Sequence, residues 1–289
     1  MALPELIRHP SEWQRRCIAA RDAGTRIALV PTMGFLHDGH LSLMREGRRR
    51  ADEGGRRGLS LATIFVNPTQ FGPAEDLARY PRDLEGDLAK CGEAGVDAVL
   101  APEDPAAVYP AGFQTWVEVT EVSRGLCGDR RPGHFRGVAT VVAKLFGLSR
   151  PHVALFGEKD WQQLQVIRTM ARDLDMGVEV VGMPVVREPD GLAMSSRNAY
   201  LSAEERPRAR SISQAISQAA RRAAGGARGA ATLAADVRAV VEGAGLRVDY
   251  VELVHPATLA PVAEAVPGTR LLVAAFLGRT RLIDNLALP

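Results

Sequence analysis

A chain of 289 residues that is 46% hydrophobic can build one large core or two smaller ones, and a net charge of +2 neither suits a disordered polyelectrolyte nor announces a nucleic-acid partner. Arg, Gly or Pro interrupts every apolar run before the roughly 18 residues of a membrane span, and residues 1–10 lack the apolar stretch of a secretory signal. Three scattered cysteines, Cys17, Cys91 and Cys127, offer neither a disulfide frame nor a CxxC metal knuckle and suit a reducing cytoplasm.

Residues 11–23 predict a helix with Ser11 as N-cap and Gly24 past its end. The apolar, β-prone run 26–32 predicts a buried strand. It leads into Pro31-Thr32-Met33-Gly34-Phe35-Leu36-His37-Asp38-Gly39-His40, a tight Gly-containing turn, with a helix opening near His40. The first amides of such a helix carry partial positive charge and suit a phosphate. His37 and His40, three apart, can share one face of the opening turn. Taken alone the pair reads first as capping or buried histidines. Its place directly after a strand and PTMG favours donors to a nucleoside triphosphate, where an imidazole N–H stabilises charge developing at phosphorus.

The helix after His40 ends by Gly54-Gly55. Its Arg48-Arg49-Arg50 run reads as a solvated helix end, since no aromatic interleaves it. A strand follows over 59–66, then a helix over 83–94 stopped by Gly95, a strand over 96–100 and an edge strand over 116–119. A helix over 135–148, a strand over 153–156, a helix over 161–174 and a strand over 178–186 complete the series. Alternating strands and helices predict an α/β fold, a doubly wound and mostly parallel sheet. After Arg187 come helices over 203–224 and 231–243, then strands over 248–254, 270–277 and 281–286, the pattern of a smaller α+β domain. The expected domains are therefore 1–186 and 187–289.

In such sheets ligands sit beyond the carboxyl ends of the strands, so His37, Asn67 and Gly157 should line one crevice. In Gly157-Glu158-Lys159-Asp160 the glycine permits backbone approach and Lys159 offers a mobile charge for phosphate, while Asp160 can N-cap the next helix. Met194-Ser195-Ser196-Arg197 places two hydroxyls and a guanidinium together, suited to a triphosphate and its leaving pyrophosphate, or to an ordinary helix cap. Asn67, Gln70 and Gln163 are neutral readers of orientation and point to a small hydroxylated acid.

The ordered blocks PTMGFLHDGH, FVNPTQF, YPRDLEGD, RPGHFRGVATVV, LFGEKDWQQL, VREPDGLAMSSRN and TRLIDN, spread over residues 26–286, resemble the pantothenate synthetase (pantoate–β-alanine ligase) family, of the HxGH nucleotidylyltransferase superfamily. The resemblance implies a Rossmann-like nucleotide- and pantoate-binding domain followed by a smaller lid domain. It implies condensation of (R)-pantoate with β-alanine through a pantoyl adenylate, consuming ATP with Mg2+ and releasing AMP and pyrophosphate. It places ATP on Met33 through His40, Gly157 through Asp160, Val186, and Met194 through Arg197. It makes His40 the proton donor, with His37, Lys159 and Arg197 neutralising charge beside it. Pantoate falls to Gln70 and Gln163, with Asn67 beside them. The family is cytoplasmic and usually a homodimer through the larger domain, with small-molecule substrates and no nucleic-acid or membrane partner.

Three departures stand out. After YPR the acids are spaced as Asp83-Leu84-Glu85-Gly86-Asp87, leaving Asp87 as the candidate carboxylate near magnesium. Thr69 stands where methionine is frequent, and 52–58 reads as an enlarged surface loop. Two other classes fit parts of the pattern: a nucleotidylyltransferase with another acceptor, which would not need FVNPTQF, and an RNA-binding relative of class I tRNA synthetases, disfavoured by the near-neutral charge.

Overall fold

Six short apolar runs become the strands of one sheet: β1 Glu5–Ile7, β2 Ile27–Thr32, β3 Leu59–Ile64, β4 Ala98–Leu100, β5 Val153–Gly157 and β6 Glu179–Met183. Their order is β1-β4-β3-β2-β5-β6, and every pairing is parallel. The computed structural model describes residues 2–73 and 75–289. It divides into two compact units, Met1–Glu158 with Val166–Met183, and Lys159–Gln165 with Pro184–Pro289.

In the first unit the sheet is covered on both faces, as a parallel sheet requires. Helix α1, Pro10–Asp22, begins at Pro10 rather than on a Ser11 cap; His9 is the N-cap and makes no side-chain bond. Proline is pre-set for that first position, where its missing N–H is no loss. Helix α2, Asp38–Ala51, opens two residues before the expected start. Leu41, Met44 and Ala51 of α2 pack with Cys91 and Ala94 of the next helical segment against Ala28, Val30, Ala62 and Leu155. That segment is α3, Leu84–Glu93, capped by the Asp83 carboxylate on the Gly86 amide at 3.0 Å. The short α4, Leu126–Arg130, precedes α5, His134–Ser149, which is apolar along most of its length. A bond of 2.8 Å from Trp13 Nε1 to Ser149 Oγ joins α1 to α5.

Two expectations fail here. Residues 116–119 form no strand, because Trp116 turns its ring toward Tyr109 and Phe113 and the Val117 amide bonds to Thr140 Oγ1 at 3.0 Å. The Arg48–Arg50 run is more than a solvated end. Arg48 bridges Asp52 and Asp97, and Arg49 and Arg50 share Glu46. The sixth strand stops at Met183 because Pro184 has no N–H to give the ladder.

Helix α6, Trp161–Asp173, starts in the second unit and ends in the first. The remainder of the second unit holds α7 Glu205–Ala209, α8 Ser211–Ala224 and α9 Ala230–Gly243, followed by strands β7 Arg247–Val254, β8 Arg270–Leu277 and β9 Thr280–Ala287 in one antiparallel sheet. Ile212, Ile216, Leu233, Val237, Leu271 and Val273 form its core. The helix expected over 203–224 is two pieces. Pro207 confines the first to a start near Glu205, since its ring would clash one turn earlier. At Arg210 the ladder is renewed, with the Gln214 amide bonding to the Arg210 carbonyl.

Candidate active site

Strand β2 has β3 on one side and β5 on the other, so the order of addition reverses at β2. Loops leave such a switch point in opposite directions and open a crevice at the carboxyl edge. Three segments of the first unit reach that edge: the turn after Thr32, the Pro68–Gln70 turn after β3, and Gly157 at the end of β5. His37 and Asn67 thus follow β2 and β3, while Gly157, expected just past its strand, is the last residue of the adjacent β5.

The turn after β2 is conformationally demanding. Gly34 and Phe35 both lie in the left-handed region, at φ +85° and +51°. For phenylalanine that conformation costs about 1–2 kcal/mol. Two bonds offset it: Asp87 Oδ2 accepts from the Phe35 amide and Oδ1 from the Leu36 amide, each at 2.7 Å. Bonds to a charged acceptor contribute about 1.5–3 kcal/mol each. Lys90, one helical turn on, donates to the Leu36 carbonyl at 2.8 Å. Burial pushes the Asp87 carboxyl up from the usual carboxylate range, against the pull of the Leu36 and Phe35 amides and of Lys90. The structure therefore gives Asp87 a task in the turn: each of its oxygens accepts one backbone amide.

His37 is the N-cap of α2 and forms a reciprocal capping box with His40. His37 Nδ1 accepts from the Gly39 amide at 3.2 Å, and His40 Nδ1 accepts from the His37 amide at 3.3 Å. An accepting Nδ1 carries no hydrogen, so in each neutral imidazole the hydrogen sits on Nε2. The rings lie 4.1 Å apart, tilted by 40°. Capping and ligand donation are therefore compatible: the cap fixes the tautomer that donates.

Gln70 is held from two directions. Its carboxamide oxygen accepts from Asn67 Nδ2 at 3.0 Å, while its Nε2 donates to Met33 Sδ at 3.4 Å, tying this turn to the motif. Its main-chain carbonyl accepts from Arg131 at 3.3 Å and from His134 Nδ1 at 2.8 Å. Arg131 is anchored by Glu75, whose carboxyl stays below the usual range despite burial because Arg131 faces it. Asn67 itself is 1% exposed. Its Nδ2 also donates to the Gly137 carbonyl, and its Oδ1 accepts from the Thr69 amide, the Thr69 hydroxyl and the Tyr109 hydroxyl. Asn67 is thus a buried hub whose Nδ2 fixes the direction of the Gln70 carboxamide. Thr69, which stands where methionine is frequent, is a member of this network through its amide and its hydroxyl. Gly137 is dictated by the same packing, since a Cβ there would lie 2.4 Å from the Thr69 carbonyl.

In the second unit, two residues of TRLIDN organise the cationic segments. Asn285 Nδ2 donates to the Lys159 carbonyl at 2.8 Å, and its Oδ1 accepts from Arg270 Nε at 2.8 Å. Arg270 stacks over Trp161 at 3.7 Å. Asp284 takes a two-pronged bond from Arg187, at 2.7 and 3.0 Å. Arg187 begins a tight hairpin closed by the bond from the Met194 amide to the Val186 carbonyl at 3.0 Å. Ser195 caps the Ser196–Tyr200 turn by accepting the Arg197 amide at 3.3 Å, and Ser196 is buried. Glu158, Lys159 and Asp160 make a single tight turn before α6, on whose first turn Gln163 is half-buried. Burial pushes the Lys159 ammonium below the ordinary lysine range, with Asp160 and Asp284 opposing and Arg197 and Arg281 adding to the effect.

Sequence reasoning assigned nothing to Arg131, His134, Glu75 or Asp284. The available signal was a polar Arg131/His134 pair at the head of an otherwise apolar helix, and an Asp284-Asn285 pair inside a strand-like run; the structure shows that second pair nearly fully buried.

Comparison with known proteins covers nearly all of the chain. Residues 5–287 match the family model for pantoate-beta-alanine ligase. A pantothenate synthetase of Anaeromyxobacter dehalogenans is 71% identical over the full length of both chains. One of Myxococcus xanthus is 64% identical over 93% of this chain and 90% of its own. The crystal structure of the Thermus thermophilus pantothenate synthetase superposes with a TM-score of 0.90 at 44% identity, covering 98% of this chain and 99% of that one. A Francisella tularensis pantoate-beta-alanine ligase, crystallised with beta-gamma ATP and beta-alanine, superposes with a TM-score of 0.78 at 27% identity, covering 98% and 97%.

Proposed function

The chain belongs to the pantoate–beta-alanine ligase family, and from that premise we propose how its residues perform the ATP-dependent ligation of pantoate to β-alanine. The pantoate carboxylate attacks the α-phosphorus of ATP. A phosphorus–oxygen bond to pyrophosphate breaks and pantoyl adenylate forms. The β-alanine amine then attacks the acyl carbon, AMP leaves, and the amine loses a proton.

The observation that carries the residue assignment is the capping box. It presents two Nε2–H imidazoles, His37 and His40, at the start of α2, where the helix amides already favour anions. His40 is the proton donor to the polyphosphate and His37 its partner. Met33, Gly34, Phe35, Leu36, Asp38 and Gly39 give the turn its shape around the nucleotide. A Cβ at Gly157 would meet no protein atom within 4 Å, which leaves its backbone open to a ligand. Glu158, Lys159, Asp160, Val186, Met194, Ser195, Ser196 and Arg197 serve ATP from their own segments, Lys159 and Arg197 by charge. Gln70 and Gln163 orient pantoate.

Magnesium enters with ATP as part of the substrate, on phosphate oxygens and water. Among the described residues no group of three or more His, Cys, Asp or Glu could hold a metal, and each Asp87 oxygen already accepts a backbone amide. Residues 1–186 bind nucleotide and pantoate and residues 187–289 act as a lid, shielding an adenylate that water would hydrolyse. The protein works in the cytoplasm, which its cysteines suit. It works there as a homodimer, a reading supported by Trp116, 41% exposed on a segment that belongs to no helix or strand.

The deciding experiment is AMP release with ATP, pantoate and β-alanine, omitting each in turn. Sustained AMP release only with all three is expected. Release independent of pantoate would overturn the function, and normal single-turnover adenylate formation in His40→Ala would overturn the role of His40.

A further inference from the structure

We propose that Asp87 and Lys90 are positioning residues for adenylate formation, clamping the peptide units around Leu36 and so fixing the place at which His37 and His40 meet the polyphosphate. The inference rests on the reading of the motif turn as the ATP site. Asp87 takes the amides of Phe35 and Leu36, and Lys90, three residues later on α3, takes the Leu36 carbonyl. Both sides of one residue are thereby tied to a single helical turn.

The turn needs such a clamp. Gly34 and Phe35 are consecutive left-handed residues, a conformation the chain does not keep without outside support. Nor can side-chain bulk replace the carboxylate. A Cβ on Gly34 would lie 2.9 Å from Asp87 Oδ2 and 2.9 Å from Ile64 Cγ2, so the carboxylate is packed directly against the glycine. Leu36 is followed at once by His37, the cap of α2, so any rotation of the Leu36 peptide moves both imidazoles and the capping box between them. Neither Asp87 nor Lys90 approaches the reacting atoms in this account; each acts through the turn.

The test uses Asp87→Asn, Asp87→Glu, Lys90→Met and Lys90→Arg in the full chain. Each is measured for thermal stability, for single-turnover adenylate formation, and for aminolysis of pre-made pantoyl adenylate by β-alanine. Asparagine turns a donor toward one of two backbone donors, and Asp87→Asn is expected to slow adenylate formation about a hundredfold, as small misplacement of reacting groups does. Its KM for pantoate should stay within about twofold, because Gln70 is held by other residues. Aminolysis involves no polyphosphate and should fall by no more than about threefold. Lys90→Met keeps the stem and loses one charged bond, for a loss of about tenfold in the same step, and Lys90→Arg should restore most of it. If Asp87→Asn does not fold, the Lys90 pair decides alone. Adenylate formation within about threefold of the parent in Lys90→Met, or equal losses in both half-reactions, overturns the clamp. A parent enzyme that forms no pantoyl adenylate overturns the reading beneath it and the clamp together.

Discussion

Asn67→Asp should reverse the polarity that Gln70 offers to its substrate. The Gly137 carbonyl, which belongs to the main chain and cannot turn, faces Asn67 Nδ2 at 3.2 Å, so that end of the amide must be the donor. The same nitrogen meets Gln70 at 3.0 Å, so Gln70 must point its oxygen inward and its Nε2 outward, toward Met33 Sδ. Aspartate keeps the three bonds from Thr69 and Tyr109 but sets an acceptor against the Gly137 carbonyl and the Gln70 oxygen. Gln70 relieves one conflict by rotating its carboxamide through half a turn; the other persists. The persisting conflict should destabilise the fold by about 1–3 kcal/mol. A rotated Gln70 presents an acceptor where pantoate's own oxygens need a donor, a loss of about 1.5–3 kcal/mol, or roughly ten- to a hundredfold in KM for pantoate. Steady-state pyrophosphate release with each substrate varied in turn reads this directly, and KM for ATP should stay within about twofold. Protonating the new carboxyl restores a donor, so the defect should shrink as pH falls. A variant with unchanged KM for pantoate, or with equal losses for ATP and pantoate, would refute the assignment of Asn67 as the residue that aims Gln70.

Gly137→Ala should act on the same turn from below. Its Cβ would need to displace the Thr69 carbonyl, 2.4 Å away, so KM for pantoate should rise about tenfold or more with little change for ATP, as the same kinetics will show. Lys159 should impose an alkaline limit on ATP binding. Its ammonium is pushed down by burial and is lost as pH rises through that lowered value, so KM for ATP should climb at a pH below the ordinary lysine range. Lys159→Arg, which stays charged, should remove that limb; an unchanged profile would count against a charge role. The Cys17 and Cys91 thiols, pushed up to about 12 by burial, should resist a disulfide reagent in the folded enzyme, while half-exposed Cys127 reacts. Rapid modification of more than one thiol in native buffer would contradict that burial.

Local pattern sufficed for the elements. Apolar β-prone runs marked β2, β3, β5 and the strands of the second unit to within a few residues, because burial of alternate or continuous apolar side chains is a property of short stretches. It fell short where an element is too brief to show a period, as for Glu5–Ile7, which has a single buried side chain. It misled where alternation served another purpose, as at Trp116, whose ring completes an aromatic cluster.

The motif residues could be read from sequence because phosphate handling is built from consecutive positions: a strand end, a glycine turn and a helix start carry their chemistry in order along the chain. What the sequence left open was how those residues are held. Asp87 lies 51 positions beyond Leu36, Gly137 70 beyond Asn67, and Asn285 126 beyond Lys159. Such contacts follow from strand order and helix packing, which join distant segments, so only the folded chain could show Asp87 supporting a strained turn and Asn67 aiming Gln70.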